Sequence, residues 1–211
     1  MTAYSDYIEH RIHACYDLAN KARAKGYDPV DHVETQHAHN MAERVVGLIS
    51  IVKPEIKKTT IVSRIKELEQ YYAPLDWRVA LTIALEVAQE KYCTFKDKKE
   101  AMEVGIRTGI AYITNGGVSS PLEGFTKLEP KKRRDGQDYI ALYFSGPIRS
   151  AGGTGAAVSV IIGDYVRKHF GYQAYDPTPD EIKRMSTELY DYHEKITNLQ
   201  YLPSEEEIEY L

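Results

Sequence analysis

Cysteine is scarce: Cys15 and Cys93 are the only two in 211 residues. They stand far apart, with no second Cys or His at zinc-ligand spacing, so neither a disulfide framework nor a structural zinc site is indicated. No apolar run approaches the ~20 residues a membrane helix needs, and no signal-peptide pattern opens the chain. The expectation is a soluble, cytoplasmic protein with no membrane partner. An excess of positive charge is also missing. Lysine and arginine number 27 against 31 aspartates and glutamates, giving −4, so any nucleic-acid contact must come from a local patch. There is no compact Asp-x-Asp group of the kind that converges on magnesium in nucleotidyl transfer. Asp135 and Asp138 flank a turn, and Glu205, Glu206 and Glu207 open a solvated helix, which explains them without metal. Disorder throughout is excluded by a hydrophobic content of 43%, enough for one domain of ample core or two small ones.

What is present is glycine in one place. Tyr143-Phe144-Ser145-Gly146-Pro147-Ile148-Arg149-Ser150-Ala151-Gly152-Gly153-Thr154-Gly155 joins a strand-like run, Tyr139 to Phe144, to a helix-like run, Ala156 to Phe170. Glycine at this density permits positive φ or close approach at a cost in chain entropy. Strand, glycine turn and helix is the order of many phosphate sites, where helix amides face an anion and a cation such as Arg149 adds charge-assisted bonds. No Lys stands at the Walker A spacing, and Val158 falls where a dinucleotide fingerprint wants its third glycine or alanine, so an NTP or NAD site is not expected. A tight strand-to-helix corner that only permits close packing is the alternative.

Before this segment the pattern is helical. Ile8, Ile12, Cys15, Ala19 and Ala22 recur at helical spacing, predicting a helix near 4–25 that ends at Gly26-Tyr27-Asp28-Pro29. Its apolar face needs a partner. Candidates are a stripe of Ile61, Ile65 and Leu68 and another of Trp77, Leu81, Ala84, Leu85 and Ala88, capped by Asp76. Asp97-Lys98-Lys99-Glu100 reads as a capping box opening a helix through Ile113, ended by Asn115-Gly116-Gly117. Four helices thus precede residue 120. Thr126–Glu129 and Asp138–Phe144 then read as a β-hairpin whose exposed tip carries Lys131-Lys132-Arg133-Arg134 and Asp135-Gly136. Asp176 to Glu181 is a stiff turn into a mostly polar helix, Glu181 to Tyr192. A new helix start at Ser204 near the end suggests a chain cut from something longer. The expected fold class is α+β, mainly α, with a helical part (1–120) packed with a small hairpin and a glycine-rich strand-to-helix turn (121–211).

Phe144-Ser145-Gly146-Pro147-Ile148-Arg149-Ser150-Ala151-Gly152-Gly153-Thr154 resembles a signature of the large subunit of the archaeal D-family DNA polymerase, in its N-terminal region. Lys25-Gly26-Tyr27-Asp28-Pro29, Met41-Ala42-Glu43-Arg44-Val45, Ile106-Arg107-Thr108, Pro121-Leu122-Glu123-Gly124 and Leu199-Gln200-Tyr201-Leu202-Pro203-Ser204 are similar to family segments in the same order. Ser145 stands where the family pattern has alanine, and Ile49 to Thr60 matches poorly. The resemblance implies a parent subunit several times this length that performs template-directed DNA synthesis with magnesium. It further implies a partner subunit with 3′–5′ exonuclease activity, a primer-template and a sliding clamp. The family's polymerase carboxylates and zinc-binding cysteines lie downstream, with no match here, so this segment should hold no cofactor and should not polymerise DNA alone. A homodimer stays open.

The candidate DNA contacts are Lys131, Lys132, Arg133, Arg134 and Arg149, with Gly146, Ser150, Gly152, Gly153 and Thr154 forming the turn. Four clustered cations can neutralise several phosphates, or merely keep a loop solvated. His32, His37 and His39, and His10 with His13, invite a metal site that no carboxylate or cysteine completes. Tyr71, Tyr72, Tyr190 and Tyr192 could stack on unpaired bases or serve as half-buried packing. Three functions remain: an assembly and DNA-handling domain, a phosphate-ligand enzyme built on Arg149 and the glycines, or a purely structural module.

Overall fold

A computed structural model describes residues 3–27, 37–114, 120–146, 152–196 and 198–210. The chain runs α1 (Ala3–Arg23), α2 (Met41–Ile49), a 3-10 turn (Pro54–Lys58), α3 (Ile61–Tyr72), α4 (Trp77–Ala88), α5 (Lys98–Ile113) and α6 (Ser120–Gly124). A two-stranded antiparallel sheet follows, β1 (Phe125–Lys132) and β2 (Asp138–Phe144), then α7 (Gly152–His169), α8 (Pro179–Lys195) and α9 (Glu205–Tyr210). This is the mainly helical α+β class expected from the sequence.

Local chemistry places several of the helix starts. The Asp97 carboxylate accepts from the Glu100 amide at 2.8 Å and opens α5. Asp76 accepts from the Arg78 amide at 2.8 Å and opens α4. Thr178 and Glu181 form a reciprocal capping box at the start of α8. Each such cap satisfies an amide that the helix itself leaves unpaired.

Among the described residues, five α-helices, not four, come before residue 120. The additional one is α2, whose N-cap Asn40 accepts from the Glu43 amide at 3.0 Å. Its Ala42, Val45, Val46 and Ile49 are buried. Its sequence signal is Asn40 with Glu43 three residues on; the stretch after it holds a 3-10 turn that buries Ile56. Trp77 also departs from expectation. It is 59% exposed, and the buried face of α4 is broader than the predicted stripe, taking in Val79, Ala80, Ile83 and Val87. Nor do the stripes of α3 and α4 serve α1, which buries none of its residues; Glu9 meets His39 Nε2 at 3.3 Å.

The core is one cluster centred on α4 and α5, closed by α2 and α3 on one side and by β1 and α7 on the other. Two glycines set the α4–α5 crossing. A Cβ on Gly105 would lie 2.5 Å from the Ala84 carbonyl oxygen and 2.8 Å from Ala88 Cβ, and one on Gly109 3.0 Å from the Ala80 carbonyl oxygen. With the small Ala80, Ala84 and Ala88 opposite on α4, the two backbones approach closely, and Ile162 of α7 closes over Gly109, 3.1 Å from where its Cβ would lie. Larger side chains fill the flanks: Ile83, Met102, Ile106, Ile110 and Tyr112 are fully buried, and each aliphatic one contributes about 1.5–3 kcal/mol relative to exposure.

Two polar groups are carried inside by their partners. Glu86 receives Arg64 Nε at 3.2 Å, Arg64 Nη2 at 3.1 Å, Lys91 Nζ at 3.3 Å and the Tyr92 hydroxyl at 2.5 Å. Burial pushes the Glu86 carboxyl up, but the Arg64, Tyr92 and Lys91 bonds outweigh it and hold it below the usual range. The buried Tyr112 ring sends its hydroxyl out to Glu69 Oε1 at 3.0 Å and accepts from the Leu75 amide at 2.9 Å.

Candidate nucleic-acid interface

The hairpin is built on the inner half of its own alternation. Phe125 faces Phe144, Leu128 faces Leu142 and Pro130 faces Ile140, and this apolar face lies on α5 and α7. Gly163 of α7 receives Leu142 where any Cβ would overlap the leucine Cδ1. Two side chains of α5 then fix β1: Arg107 donates to the Phe125 and Thr126 carbonyls, both at 2.6 Å, and Glu103 accepts from the Leu128 amide at 2.6 Å. Burial draws the Arg107 guanidinium below its ordinary range. Arg44 of α2 likewise donates to the Ala111 and Thr114 carbonyls at 3.2 and 2.8 Å, closing the end of α5. Both arginines lie in segments of family resemblance, and their work is structural.

The basic block is divided by the strand. β1 extends to Lys132 rather than stopping at Glu129, so Lys131 and Lys132 belong to the sheet and only Arg133 and Arg134 to the tip. The tip turns through Gly136 at φ +82°, with Asp135 accepting from the Gln137 amide at 3.0 Å. It does not project freely. Arg133 Nη1 donates to the Ala174 carbonyl at 3.0 Å; Arg134 donates to Asp176 Oδ2 from its amide and Nε, both at 3.2 Å, and from Nη2 to the Asp176 and Pro177 carbonyls at 3.0 and 3.2 Å. Burial raises the Asp176 carboxyl, and the two Arg134 bonds more than reverse this, leaving it lowered. Lys132 Nζ meets Asp138 at 2.7 Å. Of the four cations, two latch the hairpin to the 174–177 segment and one is ion-paired across the strands. A solvated, unattached tip is therefore not what forms.

Lys131 stands on the outer face. The register sets Lys127 opposite Tyr143, Glu129 opposite Ala141 and Lys131 opposite Tyr139. Lys127 Nζ is 4.6 Å and Lys131 Nζ 5.2 Å from the Tyr143 ring centre. Alongside β2 runs the 172–176 segment, bridged at Tyr139 and Gln173, with the Gln173 amide donating to the Asp138 carbonyl at 2.8 Å. This sets the Tyr175 ring 5.1 Å from that of Tyr139. The β2 strand is half-buried, not fully buried, because its outer face meets no further sheet or helix layer among the described residues.

The glycine-rich turn is described only in part. Gly146 takes no positive φ, and a Cβ there would meet nothing within 4 Å among the described residues. Gly152, Gly153 and Thr154 form the first turn of α7, which begins four residues before the predicted Ala156. Arg149 and Ser150 lie outside the described residues, as do His32 and Asn115 to Gly117. His37 and His39 pack edge to face at 4.8 Å, and among the described residues no three His, Cys, Asp or Glu side chains could hold a metal together. Tyr71 packs against Tyr72 at 4.7 Å, and Arg78 covers Tyr72 at 4.6 Å. No described helix is long and apolar enough to cross a membrane.

Residues 3–211 match the family model described as DNA polymerase II large subunit DP2, N-terminal. Among individual relatives, the chain is 47% identical over 208 residues to the DNA polymerase II large subunit of Nanoarchaeum equitans, covering 99% of this chain and 17% of that protein. The corresponding identity is 41% for Methanosarcina barkeri and 38% for Thermococcus kodakarensis, where the chain covers 17% and 11% of the relative. The chain thus spans less than a fifth of the length of these relatives.

Proposed function

The chain belongs to the family of the N-terminal region of the DNA polymerase II large subunit DP2, and from that premise we propose that it is the assembly and DNA-handling segment of a replicative archaeal polymerase. The observation that carries the reading is the match along residues 3–211, beside a hairpin whose outer face offers Lys131, with Lys127 paired to Glu129. The parent protein would carry out template-directed nucleotidyl transfer, working with a small 3′–5′ exonuclease subunit, a primer-template and a sliding clamp. Magnesium and zinc are implied for that parent by the resemblance; among the described residues no three His, Cys, Asp or Glu side chains gather at one place.

Support for the assembly half comes from apolar side chains facing outward. Val160 and Ile161 of α7 are 54% and 55% exposed, and Ile51 beside α2 is 77% exposed. A second reading, assembly without DNA contact, is favoured by the commitment of Arg133 and Arg134 to the 174–177 segment. The two readings separate in a salt series on primer-template DNA, using the assembled polymerase with Lys131→Ala and Lys132→Ala together. Those two lysines can be removed without releasing the arginine latch. DNA handling at the hairpin predicts weaker binding and a log K against log salt slope shallower by about 0.9 for each phosphate no longer neutralised. An unchanged slope leaves assembly alone.

A further inference from the structure

We propose that the outer face of the hairpin is a stacking platform for unpaired DNA bases, with Tyr139, Tyr143 and Tyr175 as its rings and Lys131 as its phosphate contact. This rests on the DNA-handling reading above and deepens it by naming single-stranded DNA as the ligand. Tyr139 and Tyr143 are four residues apart on β2 and share one face. At ~3.3 Å per residue they stand roughly 13 Å apart, with only the small Ala141 between them. Tyr175, a residue 50% exposed, comes from a segment 36 positions further along and widens the platform beside the half-buried Tyr139. Its hydroxyl donates to Glu181 Oε1 at 2.7 Å, which fixes the ring at the edge of the sheet.

The charges on this face suit a nucleic-acid strand. Lys127 and Lys131 flank Tyr143 from two outward positions of β1. The carboxylates beside the rings are engaged: Glu129 by Lys127 at 2.6 Å, and Glu181 by the Tyr175 hydroxyl and the Thr178 amide, both at 2.7 Å. Asp176, next to Tyr175, is engaged by Arg133 and Arg134. Lysine stems are flexible and their ammonium groups are compact point charges. A rotation of the stem carries the Lys131 ammonium from the Tyr143 ring to a phosphate beside a stacked base, while Lys127 stays on Glu129. Positive charge along a sheet with rings that accept any base is the arrangement that sequence-tolerant single-strand binding uses. A paired duplex hides its base faces and would meet only the lysines. The interleaving of basic and aromatic positions could not be seen in the basic block itself. It requires the register that puts Lys127 and Lys131 across from Tyr143 and Tyr139.

The test uses the assembled polymerase, a fluorescent oligodeoxythymidylate and a blunt duplex of equal length. Tyr139→Leu with Tyr175→Leu is expected to weaken oligothymidylate binding about tenfold or more and to leave the blunt duplex unchanged. The matching Tyr→Phe variants, which keep the rings, retain the binding. Equal loss on both probes, or no loss on either, overturns stacking. The lysine variant tells the two proposals apart: if Lys131→Ala with Lys132→Ala weakens DNA binding while the leucine variants do not, stacking fails and DNA handling stands. If neither set has an effect, both fail. Should the leucine variants not assemble, ultraviolet cross-linking of iododeoxyuridine-substituted single strands to the unmodified polymerase decides. An adduct on Tyr139, Tyr143 or Tyr175 supports the platform, and adducts confined to other residues overturn it.

Discussion

The α4–α5 crossing and the hairpin tip are both tertiary junctions, yet they are made of opposite materials. At the crossing, Gly105 and Gly109 meet Ala80, Ala84 and Ala88 with no charged group between them. Contact there depends on shape, and salt has little to screen. At the tip, Arg133 and Arg134 reach Asp176 and three carbonyls through solvent-facing bonds. Such bonds are individually weak and salt-sensitive. The difference teaches where rigidity and where adjustability lie. The crossing fixes the platform on which the hairpin rests, and the tip can loosen without disturbing it.

The largest expected effect comes from the crossing. Gly105→Ala gains about 1 kcal/mol in helix propensity but drives a methyl into the Ala84 carbonyl, so we expect a net loss of about 2–3 kcal/mol in urea unfolding. A variant as stable as the parent would break the comparison at its stronger end. Next is Arg64→Ala, which strips Glu86 of its two guanidinium bonds while Lys91 and Tyr92 remain. A buried acceptor left short of donors costs about 1–3 kcal/mol, visible in the same unfolding curves.

Acid provides a smaller effect. The Glu86 carboxyl is lowered in the folded chain from an ordinary value of 4.5. The unfolded state therefore takes up protons first, and the stabilisation is fully present above about pH 4.5 and lost as pH falls through the folded value. Glu86→Gln should be less stable at neutral pH and should show a flatter decline as pH falls below about 4.5. Equal slopes would sink the assignment. The smallest effect belongs to the tip. Asp176→Ala should speed hydrogen exchange at the Arg134 amide and its neighbours while the global unfolding midpoint stays in place, and high salt should move the unmodified chain the same way. A shifted midpoint would show that the tip is part of the cooperative core.

Much of the architecture could be read ahead. Asp97 with Glu100 opens α5 where expected and Asp135 with Gly136 turns the hairpin where expected, each within four residues; the 176–181 turn leads into α8 as expected, though the helix starts at Pro179 and not Glu181. Asn40 with Glu43 carries the same signal for α2, but it stands beside a stretch without clear periodicity, which masks it. The candidate site was less legible. Lys131 to Arg134 were visible as charge, but their division into one outer-face lysine, one cross-strand pair and two latches was not.

By itself the sequence determined the element types, their caps, the hairpin turn and the family, because these depend on residues a few positions apart or on the order of segments along the chain. The tertiary structure decided which charges remain available. Arg134 meets Asp176 across 42 positions and Arg133 meets Ala174 across 41, and Tyr139 meets Tyr175 across a similar span. No local period encodes such pairings. They arise only when α5 and α7 fix the sheet's inner face and the chain returns beside β2, bringing distant charges and rings within a few ångströms.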